Sequence, residues 1–239
     1  MAEFELERCE DGTSYWTLKD IWFTPYGSLT AEEVKDAPVP FYVCELHPDN
    51  ALGFETGEAD EFTNMLLLPG SFEELAARID PDLRKDLRRV ERKNAEVKIV
   101  FNRKEDFDVA SRWFLERWSD ETTDEFRRRR ELWLENCYFI SAYLGDELIA
   151  FHIAWDLGES IYYCGCWWNR EYRSMSPAIF LLKNDIERAI KDGKKIYDLG
   201  VGDEPYKKDW RPKSIPTKYY AKMTPEQAKE LDVDKFDLP

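Results

Sequence analysis

Ser176-Pro177-Ala178 heads a helical pattern that runs to Asp192, and its residue types suit the binding of an anion. A serine hydroxyl at the N-cap can accept from an early backbone N–H. Proline at the first helical position gives up an N–H that would have no partner there. The remaining free N–H groups, together with the helix dipole, favour an anion, and a phosphorylated ligand is the obvious candidate. The same residues also fit an ordinary crossover helix whose N-terminus binds nothing. A second chemically dense stretch, Gly202-Asp203-Glu204-Pro205-Tyr206-Lys207-Lys208-Asp209-Trp210, follows the apolar run Lys195 to Val201. Metal chemistry is not expected. Cys164-Gly165-Cys166 lacks the C-x-x-C spacing, and His47 and His152 are the sole histidines.

The elements that must hold these residues are marked in the chain. Ile161 to Trp168 reads as a strand, Asn169 to Met175 as a loop, Ser176 to Asp192 as a helix and Lys195 to Val201 as a second strand. Ile179, Leu182, Ile186 and Ala189 form an apolar stripe at helical spacing, and Gly193 fits a left-handed exit. A crossover of this length predicts two parallel strands. Upstream, Tyr138–Leu144, Glu147–Asp156 and Ser160–Trp168 form a meander, turned at Gly145-Asp146 and Gly158-Glu159. In the middle strand Ile149, Phe151, Ile153 and Trp155 alternate with Leu148, Ala150, His152 and Ala154. The small residues of the second set would let a helix approach closely, and His152 reads as a core histidine.

Ser71-x-x-Glu74 is a capping box, and Asp80-Pro81 divides the helix that follows. The second piece carries Arg84, Lys85, Arg88, Arg89, Arg92 and Lys93. They form either a solvated face or a basic wall beside an anionic ligand. Val97–Phe101 is a strand. Phe107–Trp118 and Asp124–Leu134 are helices, the latter with Arg127 to Arg130. Before residue 70 the strands are Phe4–Leu6, Tyr15–Phe23, Pro40–Leu46 and Phe62–Leu68, with turns at Asp11-Gly12 and Tyr26-Gly27. Thr217–Met223 is a last strand, and Thr224-Pro225-Glu226-Gln227 a second capping box.

Arg173-Ser174-Met175-Ser176-Pro177-Ala178 resembles the pyrophosphate loop of the GNAT acyltransferase superfamily, Q/R-x-x-G-x-G/A. Arg173 and Ala178 match, and Ser176 stands where glycine is usual. The closer likeness is to the FemAB-like and CelD-like branch. There the loop often reads S-P-G or S-P-A, and a G-D-E-P-Y-K segment follows the next strand, here Gly202 to Lys207 trailed by Trp210. Leu68-Pro69-Gly70-Ser71-Phe72-Glu73-Glu74 before an Arg-rich helix is similar to the same branch. The likeness covers roughly Leu66 to Met223.

The resemblance implies an α/β (α+β) fold: a mixed, mostly antiparallel sheet with flanking helices and one parallel, splayed strand pair, plus a small β-rich N-terminal portion. Residues 1–70 would be that portion, 71–95 a basic linker helix, 96–223 the acyltransferase domain and 224–239 a peripheral tail. It also implies acetyl-CoA or another acyl-CoA as co-substrate. Cys166, Trp167 and Trp168 would line the donor arm through backbone contacts, and Arg173, Ser174, Met175, Ser176, Pro177 and Ala178 would hold the pyrophosphate. Transfer to an amine needs a neutral amine, an oxyanion stabiliser and an acid for the leaving group. Asp203 or Glu204 would act as base or orient the amine. Tyr206, neutral at pH 7 and able to donate, would be the acid. Lys207 and Trp210 would bind substrate. Alternatively, Asp203-Glu204-Pro205 is only a turn and a helix cap.

Composition narrows the partners. A hydrophobic content of 43% over 239 residues supports a packed core. The net charge of -15 disfavours DNA and broad nucleic-acid binding, which need a basic surface. No signal peptide or membrane span is visible, and a cytoplasmic protein with reduced thiols is expected. Three functions fit: a CoA-dependent N-acyltransferase for a small amine or amino sugar, a FemAB-like transferase using charged tRNA, and a noncatalytic module with a decayed donor site. The charge disfavours tRNA, while the Arg-rich helices keep it open.

Overall fold

The computed structural model describes residues 4–8, 12–18, 35–46, 57–117, 123–224 and 226–227. The chain divides into two units, residues 1–63 with 214–239, and residues 64–213. The first unit joins strands from both ends of the chain. β1 (Phe4–Arg8) and β2 (Ser14–Leu18) form an antiparallel pair. β3 (Phe41–Leu46) meets β2 in parallel at Trp16↔Phe41 and pairs antiparallel with β10 (Lys213–Lys222). Leu18, Ala37, Phe41 and Val43 form its core, with Phe4, Trp16 and Tyr220 against them. The N-terminal portion therefore takes in the last strand, which starts four residues before the expected Thr217. Of the strand expected over Tyr15–Phe23, residues 15–18 belong to β2, and residues 19–23 lie outside the described residues. The turn at Tyr26-Gly27, Asp11, Cys9, His47 and most of the acidic tail lie outside the described residues. The second capping box forms: Thr224 N–H donates to Gln227 Oε1 and Gln227 N–H to Thr224 Oγ1.

In the second unit, which takes β4 (Gly57–Leu67) only from Asn64 onward, the sheet order is β4-β9-β8-β7-β6-β5, with β5 at Val97–Phe101, β6 at Cys137–Leu144, β7 at Glu147–Asp156, β8 at Ser160–Trp168 and β9 at Ile196–Val201. β5 to β8 pair antiparallel in sequence order; short turns dictate this for β6 to β8, while two helices lie between β5 and β6. β9 returns parallel to β8 after a helical crossover. One face is covered by α3 (Phe107–Leu115) and α4 (Thr123–Asn136). There Phe107, Phe114 and Trp133 pack on Phe139, Phe151 and Trp167. The other face carries α1 (Phe72–Arg78), α2 (Pro81–Lys93) and α5 (Pro177–Lys191). Leu75, Leu83, Leu87, Leu182, Ile186 and Ala189 pack there on Ala154, Ile161 and Tyr197. Burying each of these leucine and isoleucine side chains is worth about 1.5–3 kcal/mol. α2 thus belongs with this unit as one of its packed layers.

Two local readings are corrected. The alternation expected along β7 holds from Ala150 onward and fails at its start. A bulge between Ala142↔Ala150 and Tyr143↔Leu148 inserts Ile149 as an extra residue. Ile149 then shares a face with Ala150, while Leu148 joins Phe151. Ser176 does not cap α5 with its side chain: it makes no capping hydrogen bond, and its backbone is left-handed at φ 55°. The exit of α5 follows the expectation, with Gly193 at φ 76° and Lys194 N–H bonded to Ala189 O at 2.9 Å.

Candidate functional site

The site is built where two parallel strands stop pairing. β8 and β9 are in register from Ser160↔Ile196 to Tyr162↔Asp198, yet β8 continues to Trp168 and β9 to Val201. Asp198 Oδ1 accepts the Gly200 N–H at 2.8 Å, and Gly200 turns to φ 78°. The Gly200 carbonyl accepts from Asn64 Nδ2 at 3.1 Å and from Lys207 Nζ at 3.3 Å. Both backbone groups of Gly200 are then committed elsewhere, and the ladder ends. β8 remains paired with β7 throughout, and the Asn169 N–H bonds Ile149 O at 3.0 Å. Because backbone groups alternate sides along a strand, those of Cys166 and Trp168 face the β9 side. The backbone of Trp167 faces β7, and its ring lies in the aromatic core, 5.0 Å from Phe114 and 5.3 Å from Phe107.

The start of α5 lies at the end of the loop that leaves β8. Residues 170–175 form a 3-10 turn, capped by Asn169 through the Glu171 N–H. The Phe180 N–H makes the first bond of the helix, to Ser176 O at 3.1 Å. Pro177 has no N–H, so the N–H groups of Ala178 and Ile179 are left at the helix end. Arg173 and Ser174 are exposed, Met175, Ser176 and Ala178 half-buried, and Pro177 buried. Lys93, the last residue of α2, donates Nζ to Ser174 O at 2.7 Å. The exposed cations Lys85, Arg88 and Arg92 lie on the same helix. The Arg127–Arg130 run lies on α4, across the sheet, where Arg130 grips Asp108 and Arg129 stacks on Phe114 and Trp133. The two basic helices therefore do not form one surface.

Beyond β9 the chain makes a held turn into α6 (Pro205–Asp209). Gly202 is at φ 108°, and a Cβ there would meet Glu204 Oε2 at 2.7 Å. Asn64 Nδ2 donates to Gly202 O at 2.7 Å, and Lys207 Nζ to Val201 O at 2.6 Å. Lys207 also pairs with Glu204 Oε2 at 2.8 Å. Tyr206 is half-buried and hydrogen-bonded to Tyr163 of β8. Burial, followed by the nearby Glu204 and Cys166, pushes its phenol up from the ordinary value. Burial likewise raises Tyr163, so both phenols are neutral donors at pH 7.

All of these residues except Asn64 fall within one sequence family. The model described as acetyltransferase (GNAT) domain matches residues 81–208, more than half of the chain. The chain belongs to this family. No curated protein matches the sequence. Among solved structures, the GNAT chain resembles FemX, with a TM-score of 0.61 at 12% identity, covering 97% of this chain and 90% of that one. It also resembles the C-terminal domain of a putative lysylphosphatidylglycerol synthetase from Agrobacterium fabrum, with a TM-score of 0.61 at 10% identity and coverage of 98% and 88%. L-PGS from Bacillus licheniformis gives 0.58 at 9% identity, with coverage of 97% and 88%. At such identities the likeness is one of fold.

Within this GNAT domain the expected site residues fall into three groups. Cys166 and Trp168 offer backbone to the β9 side, and residues 173–178 form the turn and helix start. Tyr206 and Glu204 follow the splayed strands. Asp203 extends into solvent with its side chain 97% exposed, 3.3 Å from Lys208 Nζ. Lys207 and Trp210 have other occupations than the substrate contacts expected of them. Lys207 is 3% exposed, its ammonium spent on strand-end carbonyls and Glu204, and Trp210 is 2% exposed in the core against α1 and α2.

The sequence reading passed over Asn64, Tyr163 and Asp185. Asn64 was visible as a polar residue within the apolar run Phe62–Leu68. Asp185 falls on the buried side of α5, three residues after Leu182, a position that demands partners. It finds Tyr138 (2.8 Å), Tyr197 (2.7 Å) and His152 Nε2 (3.0 Å) on Oδ2, with Arg188 on Oδ1. Burial opposes its ionisation, but the hydrogen bond and charge of His152, with Arg188 and Tyr197, outweigh it and lower the carboxyl to about 2. His152 is accordingly a buried member of this network.

Proposed function

We propose that the protein is an N-acyltransferase that moves an acyl group from acyl-CoA to the amine of a small molecule or amino sugar. The observation that carries this reading is the parting of β8 from β9 after Tyr162↔Asp198. It leaves the backbone of Cys166 and Trp168 without a β9 partner, on the strand whose exit loop leads to the start of α5. The Ala178 and Ile179 N–H groups suit a pyrophosphate, and the freed strand edge suits the amide-bearing arm of the donor. The neutral amine attacks the acyl carbon, the C–N bond forms and the C–S bond breaks. The amine gives up a proton, and the departing sulfur receives one from Tyr206. Glu204, held by Lys207, orients the amine or takes its proton. It is better placed than the solvated Asp203, because its carboxylate is fixed.

A transferase using aminoacyl-tRNA is the second reading. It is favoured by the cations of α2, which run toward Lys93 and the donor loop. The net charge of -15 counts against it, as does the position of Arg127–Arg130 across the sheet.

Calorimetric titration with coenzyme A tests the first reading. Wild type should bind, and Ala178→Asp should bind at least about tenfold more weakly, because a carboxylate would stand against the phosphates. Equal affinities would refute this placement of the donor. Salt-sensitive tRNA binding without coenzyme A binding would favour the second reading.

A further inference from the structure

We propose that Asn94, assisted by Lys93, is a positioning residue for the donor loop; the inference rests on reading residues 173–178 as the donor's anion site. Asn94 follows α2 and ties three segments together. Its N–H bonds Val90 O and Glu91 O at 3.0 and 3.2 Å, and its carbonyl accepts the Val97 N–H at the start of β5 at 2.9 Å. Its side-chain Nδ2 donates to Val90 O at 2.8 Å and to Met175 O at 2.9 Å. Both partners are carbonyls, so the amide nitrogen must face them. That orientation leaves Oδ1 buried and without a partner, in a residue 2% exposed. Ending α2 requires only the backbone bonds. The contact to Met175 is an additional task, kept although it strands an acceptor.

Lys93 Nζ holds the neighbouring carbonyl, Ser174 O. Two successive loop carbonyls are thus fixed to the end of α2 immediately before Ser176. Ser176 is left-handed at φ 55° and ψ 51°. This conformation is one that a non-glycine residue adopts only when its surroundings impose it. The direction in which the chain enters Ser176 decides where the Ala178 and Ile179 N–H groups point. Asn94 and Lys93 set that direction from outside the loop, through its carbonyls.

The experiment compares coenzyme A affinity by calorimetry with thermal stability, in wild type and four variants. Asn94→Ala should weaken coenzyme A binding roughly tenfold, and Lys93→Met by roughly threefold, as loss of one hydrogen bond each. Lys93 is exposed, so its variant reports even if Asn94→Ala does not fold. Ser71→Ala is the stability control. It removes the cap bond to the Glu74 N–H, on the far side of α2 in sequence, and should melt lower with coenzyme A affinity within about twofold of wild type. Ala178→Asp reports on the donor site itself. If Ala178→Asp loses binding while Asn94→Ala and Lys93→Met bind like wild type, Asn94 merely ends the helix and the inference is overturned. If Ala178→Asp binds like wild type, or wild type takes up no coenzyme A, the donor-site reading fails first and the inference with it.

Discussion

Ser176 offers a measurable consequence of its backbone. It precedes α5 at φ 55° and ψ 51°, with no side-chain hydrogen bond to the helix. A non-glycine residue in this region costs about 1–2 kcal/mol. Glycine avoids that cost but loses about 0.5–1 kcal/mol more through chain entropy on folding. The difference makes Ser176→Gly stabilising by about 0.5–1 kcal/mol. In a chain of this size the melting temperature should rise by about 1–4 °C. Ser176→Ala separates this account from ordinary capping. An N-cap serine that bonds its helix loses about 1 kcal/mol on truncation to alanine. Here the hydroxyl bonds no helical N–H, so the change should stay within about 0.5 kcal/mol. Coenzyme A affinity should be kept or improved in the glycine variant, because a Cβ is removed beside the proposed phosphate position. Urea titrations and thermal melts of the three proteins, with calorimetry, supply the data. An alanine variant destabilised by 1 kcal/mol or more, with glycine no better, would refute the reasoning.

Two further outcomes are expected. Tyr206→Phe keeps the ring that packs on the core cluster containing Trp210 and removes the phenolic proton. Turnover should fall by ~10²–10⁴ with donor affinity nearly unchanged and the melting temperature lowered by loss of the bond to Tyr163; steady-state kinetics with a reactive acceptor amine would show near-normal turnover if the ring only holds the loop. Asp185 is depressed from the ordinary 3.8 to about 2 in the fold, so its contribution is present above pH 3.8 and is lost as the pH falls through about 2. It should supply about 2 kcal/mol of the acid sensitivity in that window. Urea midpoints at stepped pH should therefore fall less steeply below pH 4 in Asp185→Asn than in wild type, and parallel profiles would contradict the assignment.

What the sequence determined by itself was local. Ser71 and Asp80 accept from the N–H groups of Glu74 and Asp82, and Gly193 ends α5, because caps and exits depend on residues within one turn. The meander and the parallel return of β9 were legible for a similar reason. Hairpin turns permit only antiparallel neighbours, and a helical crossover brings the next strand back parallel. The Q/R-x-x-G-x-G/A likeness singled out residues 173–178, which the fold shows to be the turn that enters α5. Tertiary structure decided the rest. The left-handed turn at Ser176 comes with carbonyl contacts from Lys93 and Asn94, 81 residues away, and no local pattern announces it. The bulge at Ile149 depends on pairing with β6, so period-two counting within β7 could not find it. Lys207, next to Tyr206, was expected to bind substrate. Only the fold shows it buried, because the carbonyls at the end of β9 and the Glu204 carboxylate lie where its ammonium can satisfy them.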